Sequence, residues 1–158
     1  MRSFCLLLIL LAAALIGGCR GDRPDMATVS GQVLIDGQPL RLGVVQFVPK
    51  GSRASYGQLD RDGRFQLTCR DPNDGAVLGQ HAVGISGAEI IESTNFVTKT
   101  RWHSPKQYAD PNSSGLTADI SGPVNDLTFN ISWDGGKPFV ETERSSPEPP
   151  EAGHRLNN

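Results

Sequence analysis

Between residues 28 and 132 the chain alternates apolar and polar side chains in short runs, and turn-forming residues interrupt each run. A period of two puts successive side chains on opposite faces of a strand, whereas a helix needs apolar residues three and four apart. Residues 28–35 set Val29, Gly31, Val33 and Ile35 against Ser30, Gln32 and Leu34. Asp36-Gly37 follows, and these residue types tolerate two successive positive φ angles, so a hairpin returning through 40–48 is expected. Residues 54–59 and 64–68, on either side of Asp60-Arg61-Asp62-Gly63, predict a second hairpin. A loop of breakers over 71–75 leads to a strand at 79–86, with His81, Val83 and Ile85 on one face. Two more strands are expected at 116–120 and 127–132. Seven short strands with turn signals between them predict an all-β sandwich.

The N-terminus has a different character. Arg2 gives a cationic start, and residues 4–16 run without a charge or a proline. That run is too short for a bilayer, which takes about 20 residues, and it suits the apolar region of a signal peptide. It ends in Leu15-Ile16-Gly17-Gly18-Cys19, ahead of polar Arg20-Gly21-Asp22-Arg23. This resembles a bacterial lipobox, in which a signal peptide, here 1–18, is removed and the cysteine, here Cys19, is acylated. Several acyl chains on one residue give stable anchoring, at about 0.8 kcal/mol per buried CH₂. The expected partner is therefore a membrane, and the expected address is the cell envelope. Arg20, standing where an aspartate would favour inner-membrane retention, favours the outer membrane or the periplasmic face.

Lipidation also decides the cysteine count. Of three cysteines, Cys5 leaves with the signal and Cys19 carries lipid, so Cys69 stands alone and no intramolecular disulfide is expected. Residues 19–27 read as a polar linker and 28–133 as the sandwich. Within it, 88–111 is aperiodic although it holds Ile90, Ile91, Phe96, Trp102 and Tyr108, and reads as a long excursion with at most one edge strand. Residues 134–158 turn rich in Gly, Pro and Glu and predict a disordered tail, since a stretch such as 145–151 has too few apolar groups to offset its ordering entropy. A formal net charge of −2 gives no electrostatic footprint for nucleic acid.

Three segments carry a resemblance: 29–49 (VSGQVLIDGQPLRLGVVQFVP), 56–68 (YGQLDRDGRFQLT) and 74–85 (DGAVLGQHAVGI). Their order of Gly31, Val33, Asp36-Gly37, Pro39-Leu40, Val45, Phe47, then Asp60, Asp62-Gly63, Phe65, then Gly79, His81, Val83 is similar to carboxypeptidase regulatory-like, transthyretin-like domains. Residues 104–120 and 125–131 resemble the closing half of short lipoproteins common in planctomycete bacteria. The resemblance implies a seven-stranded Greek-key β-sandwich of the transthyretin (prealbumin) type, and an accessory domain rather than an enzyme. Sandwich hydrolases of hydroxyisourate end in Tyr-Arg-Gly-Ser, which this chain lacks.

Chemistry is sparse. Asp60-x-Asp62-Gly63 looks like the start of a calcium loop, but the twelfth position is Asp71 and an alternating strand intervenes, so a turn braced by aspartate side chains is expected and no metal. His81 lies on an apolar strand face and reads as a satisfied core histidine. Trp102, His103 and Tyr108, in the excursion, are candidate ligand contacts, with Trp102 and Tyr108 as an aromatic platform. The expectation is a non-catalytic, lipid-anchored envelope module without a cofactor, with a structural role or a protein or glycan partner. The alternative is a small-ligand or transport-accessory binding lipoprotein that uses the 88–111 loop.

Overall fold

The computed structural model describes residues 24–145. The expected signal peptide, Cys19, the start of the linker and residues 146–158 lie outside the described residues. Thirteen strands, many very short, follow in chain order. The first seven are β1 (Met26–Ala27), β2 (Val29–Ile35), β3 (Gln38–Pro39), β4 (Val44–Pro49), β5 (Ser55–Gln58), β6 (Arg64–Gln66) and β7 (Ala76–Val77). The remaining six are β8 (Gly79–Ser86), β9 (Ala88–Ser93), β10 (Val97–Trp102), β11 (Leu116–Ile120), β12 (Val124–Ile131) and β13 (Phe139–Arg144). The only helical element among the described residues is a single 3-10 turn, Lys106–Tyr108.

Two sheets share one core. One has the order β11-β8-β4-β5; in the other β2 lies between β12 and β3 and also pairs with β6. All pairs are antiparallel except β2 with β12, which run parallel. Period-two alternation explains the packing: Val29 and Val33 of β2 turn inward, as do Val45 and Phe47 of β4, and Val83 and Ile85 of β8. Phe47 is the hub. Its ring centroid lies 6.2 Å from that of Phe65, 5.9 Å from that of Phe129 and 5.6 Å from that of His81. At Gly31 a methyl group would collide with the carbonyl oxygen of Leu127, so glycine there is what lets β12 close on β2.

All seven expected strands exist, but the first expected hairpin does not return into the strand it was expected to reach. Asp36 and Gly37 do take positive φ, 48° and 78°, yet the turn returns only into two-residue β3. The chain then crosses at Arg41–Gly43 to the opposite sheet, where β4 pairs with β5 and β8. The second expected hairpin does form, with Tyr56 and Thr68 exchanging backbone hydrogen bonds and the Asp60 N–H donating to the Arg64 carbonyl. At the same time β5 also pairs with β4 and β6 with β2, so that this turn joins the two sheets. Its bracing is as expected: Asp60 Oδ1 accepts the N–H of Asp62 at 2.9 Å and of Arg64 at 2.8 Å.

Three boundaries are corrected. The expected linker ends early, because β1 pairs with β7 and Ala27 is small enough to bury against the core. The excursion contains two strands, not one at most: β9 and β10 form a hairpin. The tail is not disordered from 134 onward, because β13 adds to β10 in a regular six-residue register. The resulting sheet, β13-β10-β9, is separate from the two core sheets and from the β1–β7 pair, and is here called the satellite sheet.

Candidate functional site

The satellite sheet is a continuation of β8. Gly87 alone separates β8 from β9, and the junction is pinned by two bonds: Ser104 Oγ accepts the Gly87 N–H at 2.8 Å, and the Gly87 carbonyl accepts the His103 N–H at 2.7 Å. Register divides its side chains by face. Thr98, Thr100 and Trp102 of β10 share a face with Glu143, Glu141 and Phe139 of β13, and with Ser93, Ile90 and Ala88 of β9. Lys99 and Arg101 share the other face with Glu92 and Glu89. A bulge between Lys99 and Thr100 leaves Ile91 without a register partner, and so two isoleucines stand side by side.

The charged face is laced across the strands. Lys99 Nζ lies 2.6 Å from Glu92, and Glu89 faces Arg101 at 3.7 Å and His103 at 3.2 Å. Such solvent-exposed pairs each contribute at most about 1 kcal/mol. On the opposite face a second cluster holds β13 in place. Phe139 stacks on Trp102 with centroids 6.3 Å apart, and Trp133 meets Phe139 edge-on at 6.5 Å. The Trp102 indole N–H donates to Glu141 at 3.0 Å, and Lys106 donates to both Glu141 oxygens at 2.8 Å while lying over the Trp102 ring. The Lys106 hydrogen bond, then that from Trp102, hold the Glu141 carboxyl below its ordinary value of 4.5.

What this sheet does not do is bury its own apolar side chains. Ile90 is 67% exposed and Phe96, in the β9–β10 turn, 58%; Ile91, Phe139 and Val140 are exposed as well. Elsewhere among the described residues only Tyr56 and Leu78 are large, apolar and exposed. Those of the satellite sheet are spread over it, Ile90 and Phe139 on the Trp102 face and Val140 on the Lys99 face. Exposed apolar side chains gathered on one element mark a contact site more often than an isolated residue does.

The three residues expected to line a ligand site do not come together. Tyr108 packs against the core. Trp102 lies in the cluster that holds β13, and His103 reaches Glu89 on the other face. His81 is buried, as its strand pattern predicts, and its Nε2 lies 2.8 Å from the Val77 carbonyl, but its Nδ1 has no partner. Cys69 is buried and free. The loop after it is organised by Asp74, whose carboxylate accepts the N–H groups of Cys69, Arg70 and Asp71 at 2.7–3.0 Å. Desolvation pushes that carboxyl up, but the N–H donations from Asp71, Cys69 and Arg70 outweigh it and hold it below 3.8. Among the described residues no three His, Cys, Asp or Glu side chains converge as metal ligands, and no helix is long and apolar enough to cross a membrane.

Comparison with protein-family models, with curated proteins and with solved structures gives no match to this chain.

Proposed function

We propose that the chain is a non-catalytic, lipid-anchored module of the cell envelope that offers the satellite sheet to a partner protein or glycan. The observation that carries this reading is the exposed apolar surface of that sheet, on a domain whose other apolar strand faces are buried. Its location supports the reading further. The described chain starts beside β8, where the Asp25 carbonyl accepts the Leu78 N–H at 2.9 Å, and the satellite sheet leaves the far end of the same strand at Gly87. At about 3.3 Å per residue those points lie about 30 Å apart. The six residues from Cys19 to Asp25 reach at most about 22 Å. An acylated Cys19 would thus hold the β1 end near the bilayer and direct the satellite sheet away from it, on the outer membrane or the periplasmic face.

The finer fold belongs to the same proposal: the seven strands β2, β4, β5, β6, β8, β11 and β12 form a Greek-key sandwich of the transthyretin-like, carboxypeptidase regulatory-like type. Its support is the run of matching residues in strands β2 to β8 and the two facing sheets. A non-catalytic role is supported by the histidines, since His81 is buried with its Nε2 at the Val77 carbonyl and His103 is tied to Glu89. The alternative of a small-ligand protein using the 88–111 loop has less support, because Trp102, His103 and Tyr108 are dispersed.

The test has two readouts in one strain. Mass analysis of the mature N-terminus should find an acylated Cys19; an unmodified Cys19 or cleavage elsewhere would remove the anchor from the account. A photoreactive residue at Ile90 should give one defined cross-linked product in intact cells, and the same residue at Arg61, on the sandwich, should give none. Equal products from both positions would remove the satellite sheet as the contact site.

A further inference from the structure

On the sandwich body, outside the excursion, the outer face of β4 and β5 carries a depression of about 490 Å³. Its residues are set by register. Tyr56 exchanges backbone hydrogen bonds with Thr68 at 2.9 and 2.8 Å, and both side chains point outward. Two residues along each strand, Gln58 and Gln66 take the next row, while β4 supplies Gln46 opposite Tyr56 and Val44 opposite Gln58. Asn73, at a φ of 62°, closes the remaining side, its N–H donating to Thr68 Oγ1 at 3.0 Å. Alternation explains why the tyrosine is outside: Ser55 and Gly57, its neighbours, point inward and are buried.

The chemistry of this lining differs from that of two other depressions, which include Lys50 and Asp119 in one and Asp60 and Arg64 in the other. No charged side chain contributes to it among the described residues, in a chain that is 20% charged. Instead it offers a half-exposed aromatic ring with primary amides and a hydroxyl around it. Gln46 Nε2 donates to the Tyr56 hydroxyl at 3.2 Å and fixes the ring, whereas the Gln58 and Gln66 amides have no side-chain partner among the described residues. An amide presents a donor and an acceptor side by side, as does a pair of vicinal hydroxyl groups. An aromatic face takes the C–H face of a ring that presents hydroxyls at its edge. Trp102, the aromatic that the sequence singles out, has no such freedom, with Phe139 stacked on it and Lys106 over it.

We infer that the Tyr56 depression is a binding site for a neutral saccharide, with the ring of one sugar unit on Tyr56 and its hydroxyls on Gln58, Gln66 and Asn73. The absence of charge selects against acidic sugars and phosphorylated ligands. The inference deepens the proposed glycan role and rests on the chain being a binding module, but it places that contact on the sandwich and leaves the satellite sheet to a protein.

The test is saturation-transfer NMR on the full chain in a zwitterionic detergent, with cellotetraose and the β-1,4-linked N-acetylglucosamine tetramer as neutral probes and tetragalacturonate as the acidic one. Transfer is expected from at least one neutral probe and not from the acidic one. Tyr56→Ala should weaken binding about tenfold or more, as loss of a central aromatic contact does, and Gln58→Ala should weaken it less. Trp102→Ala should bind as the unmodified chain does. Matching thermal melts for Tyr56→Ala, Gln58→Ala and the unmodified chain separate loss of contact from loss of fold. No transfer from either neutral probe at millimolar concentration, undiminished binding by Tyr56→Ala, or equal binding of the acidic probe would overturn the inference. Failure here with an acylated Cys19 removes only this site, whereas saccharide binding by a chain with no acyl group removes only the anchor.

Discussion

The sandwich and the satellite sheet are made from the same kind of strand and differ in what their side chains touch. In the sandwich, each alternating strand turns one set of residues into a common core, and Phe47 meets Phe65 and Phe129 of the opposite sheet and His81 of its own. The satellite sheet has the same alternation in β10 and β13, but among the described residues only Lys106 and Trp133 reach over one face, at Trp102 and Phe139, and Ile90, Ile91, Phe96 and Val140 stay exposed. It is held by hydrogen-bonded ladders, by exposed ion pairs and by the Trp102–Phe139–Glu141–Lys106 cluster. A few strands whose apolar side chains stay in solvent are marginal in water. The comparison teaches that strand pairing alone does not make a region stable, and that a sheet kept in this condition is suited to contact.

Breaking the sandwich should have the largest effect. Phe47→Ala removes the ring at the centre of the core and should cost about 3–5 kcal/mol, read as a lower midpoint in urea for the whole described domain. Trp102→Ala should act on one region only. It removes a stacking contact of about 0.5–1.5 kcal/mol, so amide exchange in β13 should speed up while β4 and β8 keep their protection. Global unfolding by that variant would mean the two regions are one cooperative unit.

Acid should make the same distinction more gently. Glu141 is depressed in the folded chain, so its contribution is complete above its ordinary 4.5 and is lost as pH falls through the lower folded value. Asp74 behaves alike below 3.8. Lowering the pH from 5 towards 3 should therefore loosen β13 and the 69–74 loop before the sandwich melts, as followed by NMR line shapes at Trp102 and Cys69. The smallest effect on stability should come from Ile90→Ser, within about 0.5 kcal/mol of the unmodified chain, because Ile90 is already largely in solvent. The same change should nevertheless abolish cross-linking at neighbouring Ile91, and a variant that loses stability but keeps the cross-link would reverse the roles given to the two regions.

The parts of this arrangement that could be read from sequence were the local ones. Val29 and Val33, or Val83 and Ile85, announce their buried face by spacing, and Asp36-Gly37 and Asp60–Gly63 announce turns through residue chemistry. Pairing partners could not be read that way, because a turn shows that the chain reverses and not which sheet it enters. The β9 strand was hidden by its bulge, which sets Ile90 and Ile91 together and erases the period of two. β13 was hidden because Phe139 and Val140 are its only apolar residues and its register depends on β10, about 40 positions earlier. Tyr56 was legible in principle, since an inward Ser55 and Gly57 leave it facing out, but an aromatic in an alternating run reads first as core.

Native-state hydrogen exchange on the full chain tests the contrast between the two regions most directly. Amides of β9 and β13 should exchange through local openings about a hundredfold or more faster than those of β4 and β8, which should exchange only by global unfolding. Equal protection in all four strands would contradict the account, because it would mean that the satellite sheet is held as firmly as the core and is not a surface awaiting a partner.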